Sequence, residues 1–173
     1  MNVRVSDVKK WAGREERTTL CELWPELLEQ RLDGSQIDQP GVVHVLVRNV
    51  GSGLLVDVSG QAHIRLSCAR CLGDAKITVA FSDSQEFREE SGPEDPSLDY
   101  GRFMGDHIGL DVMVADAVAL EVPFAPLCRV DCQGLCPQCG INWNVSTCTC
   151  QAPADTRWDR LKTFRDVKES DNA

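Results

Sequence analysis

Eight of the nine cysteines in this 173-residue chain fall in four close pairs, and this pattern constrains the fold more than any other feature. Short gaps between cysteines are typical of metal ligands, because four thiolates at about 2.3 Å satisfy tetrahedral zinc. We therefore expect one or two zinc ions to organise the chain. The paired residues are Cys68 and Cys71, Cys128 and Cys132, Cys136 and Cys139, and Cys148 and Cys150.

The spacing within the pairs favours one grouping of the ligands without settling it. In CPQCG, at residues 136–140, Gly140 can adopt the turn that directs both sulfurs to one point. Cys148 and Cys150 would lie on the same face of an extended segment. The last four cysteines then form a zinc-ribbon-like site, and Cys68, Cys71, Cys128 and Cys132 form a second. A cross-pairing, in which Cys68 and Cys71 join Cys136 and Cys139, is sterically as reasonable.

The N-terminal residues and the charge indicate where such a chain works. MNVRVSDVKKWAG lacks the apolar run of a secretory signal, and no stretch approaches the roughly 20 apolar residues of a membrane span. We expect a cytoplasmic protein, in which thiols stay reduced. The net charge of −9 argues against binding nucleic acid through bulk attraction, so any RNA contact requires a local cationic patch.

Alternating apolar residues between Val42 and Phe87 predict an antiparallel β-meander. The apolar positions alternate within 43–47, 54–58, 62–66 and 77–81, and turns are expected at 49–53, at Ser59-Gly60 and at 72–74. Cys68 and Cys71 would then lie in a hairpin between two strands.

Other segments predict a short strand at 3–5, a helix within 21–32, and a helix from Asp111 to Glu121 that Asp111 caps and that covers one face of the meander. The fold class is therefore α+β, an antiparallel meander with one or two covering helices and a cysteine-rich zinc-binding C-terminal segment. We expect a meander-plus-helix domain at 1–127 with a mobile loop at 88–106, a zinc module at 128–152 packed on it, and a tail or short helix at 153–173.

Several cations and aromatic residues are candidates for contact with RNA or a partner. Trp158, Leu161 and Phe164 recur at three-residue spacing, which also fits an apolar helix face. His44, His63 and His107 are scattered and are expected to be structural, and Cys21 is isolated. The candidate contact residues are Arg65, Arg70 and Lys76 near the first cysteine pair, Trp143 in the cysteine-rich segment, and Arg157, Trp158 and Arg160 in the tail.

Four segments in order resemble the YceD family: CARCL at 68–72, LDVMVADAVALEVPFAPLC ending at Cys128, DCQGLCPQCGINWN at 131–144, and TRWDRLKTF near the end. The resemblance spans most of residues 40–165. It implies a non-enzymatic factor in the synthesis, processing or stability of large-subunit ribosomal RNA, with ribosomal RNA or a ribosome-assembly protein as partner and no small-molecule substrate. It also implies the eight paired cysteines as metal ligands. Trp143 departs from the pattern, where an aliphatic residue is expected.

The main alternative is a thiol-redox protein or redox-controlled chaperone that cycles its paired cysteines. Such a protein would place the pair at a helix N-terminus in a βαβ setting, and neither pair has this predicted context. A zinc-ribbon regulator of transcription would need a basic face for DNA. A hydrolase would need an open zinc position, whereas four cysteine pairs predict closed sites. The sequence leaves the oligomeric state open.

Overall fold

The computed structural model describes residues 1–22, 24, 26–32, 34–37, 39–90, 100–150 and 157. In this part of the chain there are eight β-strands and two α-helices. The strands are β1 (Asn2–Arg4), β2 (Glu15–Glu22), β3 (Gln36–Ile37), β4 (Gly41–Asn49), β5 (Leu54–Ser67), β6 (Asp74–Glu89), β7 (Gly101–Phe103) and β8 (His107–Gly109). The helices are α1 (Glu26–Arg31) and α2 (Asp111–Glu121).

The larger sheet has the strand order β2-β4-β5-β6-β7, with β3 also paired to β5. Its pairings from β2 to β6 are antiparallel, and β7 joins β6 in parallel over three residues. β1 and β8 form a separate antiparallel pair. The predicted α+β class and meander are confirmed. The alternation of apolar and polar residues accounts for this sheet, because every second side chain of β4 and β5 is buried on one face.

The turn predicted at Ser59-Gly60 is wrong, because β5 runs unbroken for 14 residues and pairs with β6 along its whole length. The buried positions on both sides of Gly60 keep the same alternation, from Val58 to Ala62, so the strand continues in phase. Gly60 itself faces inward, and the ring of Phe81 occupies the space of a side chain there. A Cβ at Gly60 would lie 2.5 Å from the Val42 carbonyl oxygen and 2.8 Å from a Phe81 ring atom.

Helix α2 has the limits predicted from the sequence, and its inward side chains complete the core. Met113, Val114 and Val118 are buried in one cluster with the inner residues of β4, β5 and β6. The predicted cap at Asp111 is wrong, because the N-cap residue is Leu110 and no side chain caps the helix. Arg31 of α1 forms an ion pair with Asp116 of α2.

The structure refines one further prediction and corrects two others. The short helix predicted within 21–32 is α1, which begins only at Glu26 because β2 continues to Glu22. The pairing of β2 with β4 explains this, since it satisfies the backbone groups of residues 15–22 in the sheet. The predicted strand at 3–5 lies one residue earlier, at Asn2–Arg4. Within the loop predicted at 88–106, β6 extends to Glu89, Gly101–Phe103 forms β7, and 91–99 lie outside the described residues.

The chain divides into two compact units, Met1–Cys132 and Gln133–Ala173. The first contains both sheets, both helices and the hydrophobic core. The domain limits predicted from the sequence stay a prediction. In the part of the chain described here, no helix is long and apolar enough to cross a membrane.

We predict that Gly60→Ala destabilises the first unit, because the added methyl group would meet a backbone oxygen that cannot move without disturbing the β4–β5 pairing. Overpacking of this kind costs about 1–3 kcal/mol of unfolding free energy. The measurement is urea unfolding followed by far-UV circular dichroism.

The matched control is Gly109→Ala in β8, where a Cβ would meet only the Asn2 side chain at 3.6 Å. This variant should unfold close to the parent midpoint. Equal unfolding curves for the parent and the Gly60→Ala variant would show that β5 does not pack against Phe81 as described.

Candidate metal centres

The first unit brings four cysteine thiols together from two separate segments. Cys68 and Cys71 lie in the connection between β5 and β6, as the sequence predicted, and Cys128 and Cys132 lie in the segment that follows α2. The four Sγ atoms are within 4.8 Å of one another. The Cys68 and Cys132 sulfurs are 3.8 Å apart, and the Cys71 and Cys128 sulfurs are 3.6 Å apart.

These distances identify the kind of chemistry that the thiols can perform together. A disulfide would need about 2.05 Å between sulfurs. Four sulfurs arranged as a tetrahedron around zinc at about 2.3 Å are about 3.8 Å from one another. The observed separations match the tetrahedron and not the disulfide, and all nine cysteines are free thiols. The residues present therefore fit a zinc ion.

The second unit contains the other group, formed by the thiols of Cys136, Cys139, Cys148 and Cys150, which also lie within 4.8 Å of one another. Two short segments supply them, CPQC and CTC. Of the two groupings that the sequence allowed, the structure has the one in which the last four cysteines form their own site. The cross-pairing, with Cys68 and Cys71 beside Cys136 and Cys139, is not the arrangement in the structure.

The CxxC segments of the two groups share one backbone pattern. The amide of Leu72 donates to the Cys68 carbonyl at 2.9 Å, and the amide of Gly140 donates to the Cys136 carbonyl at 2.9 Å. The first cysteine of each segment receives a return bond, since its amide donates to a carbonyl five residues ahead, at 2.7 Å for Cys68 and 2.8 Å for Cys136. Such a closed turn holds both sulfurs on one side of the chain.

The residue after the second cysteine adopts a left-handed backbone in both turns. Gly140 has a φ of 73°, as the sequence predicted for this glycine. Leu72 has a φ of 59°, and it is the only non-glycine residue with a positive φ in the described part of the chain. A side chain in this conformation costs about 1–2 kcal/mol, so the first turn is strained where the second is not.

In each group, one thiol is easier to ionise and another is harder. Backbone hydrogen bonds from Cys128 and Cys71 lower the pKa of Cys68 to about 6. Those from Cys139 and Gln138 lower the pKa of Cys136 to about 6. Loss of water around its sulfur raises the pKa of Cys128 to about 12.

For Cys150, the hydrogen bond with the Cys139 side chain raises the pKa to about 12. Without a cation the four sulfurs of a group cannot all be thiolates, because like charges at this distance repel. A divalent ion removes that repulsion, and thiols that bind zinc do so in the deprotonated form.

Polar groups around the second site fix the CTC segment and its neighbours. The Trp143 indole N–H donates to Cys148 Sγ at 3.3 Å, and its ring is 39 % exposed. The Asn144 side chain accepts from the Gln133 amide at 2.8 Å, and Asn144 donates to the Asn142 side chain. No role was predicted for these two asparagines, although their repetition on either side of Trp143 is visible in the sequence.

The residues predicted to contact RNA or a partner lie in different places. Arg65 and Lys76 are directly opposite on β5 and β6, on the face away from the core. Arg70 donates from its guanidinium to the Cys132 carbonyl at 2.8 Å, so it links the two halves of the first group. Arg157 is exposed, and Trp158 and Arg160 lie outside the described residues. Contact by these residues stays a prediction.

The other cysteine and the histidines lie apart from both groups. Cys21 is exposed on β2. His44 bonds Thr19 through Nδ1 at 3.2 Å, and His63 bonds Thr78 through Nδ1 at 2.9 Å. His107 of β8 lies directly opposite Arg4 of β1 in the register of this strand pair.

Comparison with known proteins assigns the chain to a family. Residues 56–165, more than half of the chain, match the family model described as large ribosomal RNA subunit accumulation protein YceD. The match covers all eight clustered cysteines. No solved structure matches the chain.

Similar proteins occur in mycobacteria, each named only as an uncharacterized protein. Those of Mycobacterium bovis and Mycobacterium tuberculosis are 35 % identical over 133 residues, which cover 72 % of this chain and 63 % of the relative. That of Mycobacterium leprae is 31 % identical over 121 residues, 66 % of this chain and 54 % of the relative. The chain thus spans less than two thirds of the length of these relatives. With the family model matched across both cysteine groups, the chain belongs to the YceD family.

Proposed function

We propose that this chain is a non-enzymatic factor that supports the synthesis, processing or stability of large-subunit ribosomal RNA during ribosome assembly, and that each cysteine group holds one structural zinc ion. The observation that supports the zinc assignment best is the composition of the two groups, four cysteines in each. Zinc with four thiolate ligands has no open position for water or substrate. Its contribution is then structural.

The expected contribution of the metal is large. A structural zinc site contributes about 10–16 kcal/mol of apparent binding free energy near neutral pH, whereas the net stability of a domain is about 5–15 kcal/mol. The second unit supports this argument strongly. Between Gln133 and Cys150 its described residues have a single isolated β-bridge, Leu135 with Asn142, and neither helix nor strand. Metal ligation is the interaction that can order such a segment.

The biological role rests on the family to which the chain belongs, whose description names the accumulation of large-subunit ribosomal RNA. The partner is ribosomal RNA or a ribosome-assembly protein, and the place of action is the cytoplasm. A redox role would use the same thiols differently, with disulfides in place of metal. The hairpin setting of Cys68 and Cys71 differs from the helix N-terminus that activates redox thiols.

We predict that the protein purified without added metal contains two zinc ions, one for each group. Cys71→Ser should remove the ion of the first unit and Cys139→Ser that of the second, because three thiolates and a hydroxyl bind zinc more weakly than four thiolates. The measurement is zinc by inductively coupled plasma mass spectrometry together with free thiols under denaturing conditions.

The matched control is Cys21→Ser, which removes an exposed thiol that belongs to neither group and should leave the zinc content unchanged. A folded, metal-free parent protein with reduced thiols would contradict the zinc assignment. A metal-free protein with disulfides within the groups would support the redox alternative.

We further predict that the chain sediments with precursors of the large ribosomal subunit in a gradient of cell lysate, and that this comigration persists at moderate salt. Cys71→Ser should weaken it through loss of the first metal site, whereas Cys21→Ser should not. Sedimentation only as free protein, with normal precursor profiles in cells that lack the protein, would contradict the role in ribosome assembly.

A further inference from the structure

The two cysteine groups differ in how far they are shielded from water. In the first group three of the four cysteines are buried, whereas in the second group only Cys136 is. Cys148 is half-buried, and the other two cysteines of the second group are exposed. Thiolates that water and oxidants reach are more reactive than buried ones. The second group therefore needs a means other than burial to keep its ligands in place.

One side chain donates a hydrogen bond to a sulfur atom of the second group. The Trp143 indole nitrogen is 3.3 Å from Cys148 Sγ. An indole N–H is a donor only, so the sulfur is the acceptor. A thiol sulfur accepts weakly, whereas hydrogen bonds to a charged acceptor are about twice as strong as neutral ones. The bond is therefore strongest when Cys148 is in the deprotonated form that binds zinc.

The backbone around Trp143 fixes the position from which the indole acts. The Trp143 amide donates to the Gly134 carbonyl at 2.9 Å. The side chain of the next residue, Asn144, accepts from the Gln133 amide at 2.8 Å. These two bonds tie the tryptophan and its neighbour to the start of the second unit. The indole then reaches from a fixed place to Cys148.

The segment that contains Cys148 belongs to no helix or strand of the described chain. A turn precedes it, in which the amides of Val145 and Ser146 donate to the Asn142 carbonyl at 3.1 and 3.0 Å. Regular secondary structure does not direct the Cys148 side chain beyond this turn. A donor that acts on the sulfur itself therefore orients this ligand where the backbone pattern does not.

We propose that Trp143 is a positioning residue of the second metal centre, and that its indole N–H, rather than the bulk of its ring, strengthens metal binding there by holding Cys148 as a thiolate. The inference rests on the zinc ion proposed for the second group and adds a residue outside the four ligands. The competing explanation is that the ring, which is 39 % exposed, only covers the sulfur. The two explanations differ in what a ring without an N–H would do.

The test is the zinc affinity of the whole chain, measured by competition with a chromogenic chelator, for the parent and for Trp143→Phe. The phenylalanine ring still covers the sulfur but has no N–H to donate. The variant should bind one of its two zinc ions about tenfold more weakly, because groups that support metal ligands typically contribute about 10–100-fold in affinity. The other ion should be bound as in the parent.

Two variants that each keep a single site assign the effect to one centre. In Cys71→Ser, which should keep the ion of the second unit, the added Trp143→Phe change should weaken zinc binding about tenfold. In Cys139→Ser, which should keep the ion of the first unit, the same change should have no effect. The matched control is Trp11→Phe, at a tryptophan of the first unit that is 68 % exposed, and it should bind both ions like the parent.

Cobalt(II) in place of zinc reports on the sulfur itself. A hydrogen bond stabilises the electron pairs of the Cys148 sulfur, so its loss should move the sulfur-to-cobalt charge-transfer band of the second centre to longer wavelength. If the ring only covers the sulfur, Trp143→Phe should keep both the band position and the zinc affinity, and only Trp143→Ala should bind zinc more weakly.

A parent-like zinc affinity and cobalt spectrum for Trp143→Phe would overturn the proposal, whatever the result for Trp143→Ala. The zinc assignment would stand in that case, because the parent would still hold two ions. A folded parent without zinc would contradict the zinc assignment and the role of Trp143 together. A loss of affinity confined to the second centre, with the shifted band, supports both.

Discussion

The convergence of four sulfur atoms on one point, which occurs twice in the chain, is the interaction that organises the cysteine-rich segments. In the first unit the contacts join residues far apart in sequence, since Cys68 meets Cys132 and Cys71 meets Cys128. A metal ion there would tie the β5–β6 connection to the segment after α2 without needing apolar side chains. That matters because few large rings are present to fill a core, with aromatic residues at 6 % of the chain. Arg70, which donates to the Cys132 carbonyl, reinforces the same junction from outside the sulfur cluster.

Because side chains alternate along each strand, the two faces of the large sheet differ in composition and in role. Its inner face, with Val45, Val58 and Ile64 among others, packs against α2 and forms the core. Its outer face is polar and open, and it contains the cross-strand pair Arg65 and Lys76. The same strand, β5, also leads directly into Cys68, so the outer face of the sheet and the first metal group share one element.

Periodicity predicted the parts of this fold that depend on local pattern. The limits of α2 and the hairpin position of Cys68 and Cys71 follow from it, whereas the tight turn at Gly140 follows from the CPQCG motif. Strand β2 was missed because its residues alternate weakly and its structure comes from pairing with β4. Gly60 was misread as a turn because its role depends on Phe81, a neighbour across the sheet. The grouping of the cysteines could not be predicted uniquely for the same reason, since spacing restricts pairs whereas the fold decides which pairs meet.

The most direct test of the central claim is X-ray absorption at the zinc edge of the protein as purified. Two four-cysteine zinc sites should give a coordination shell of four sulfur atoms at about 2.3 Å with no nitrogen or oxygen ligand, averaged over both sites. A shell that includes nitrogen or oxygen would show an open or mixed site and contradict the structural assignment. Absence of zinc from the folded protein would contradict metal binding by both cysteine groups.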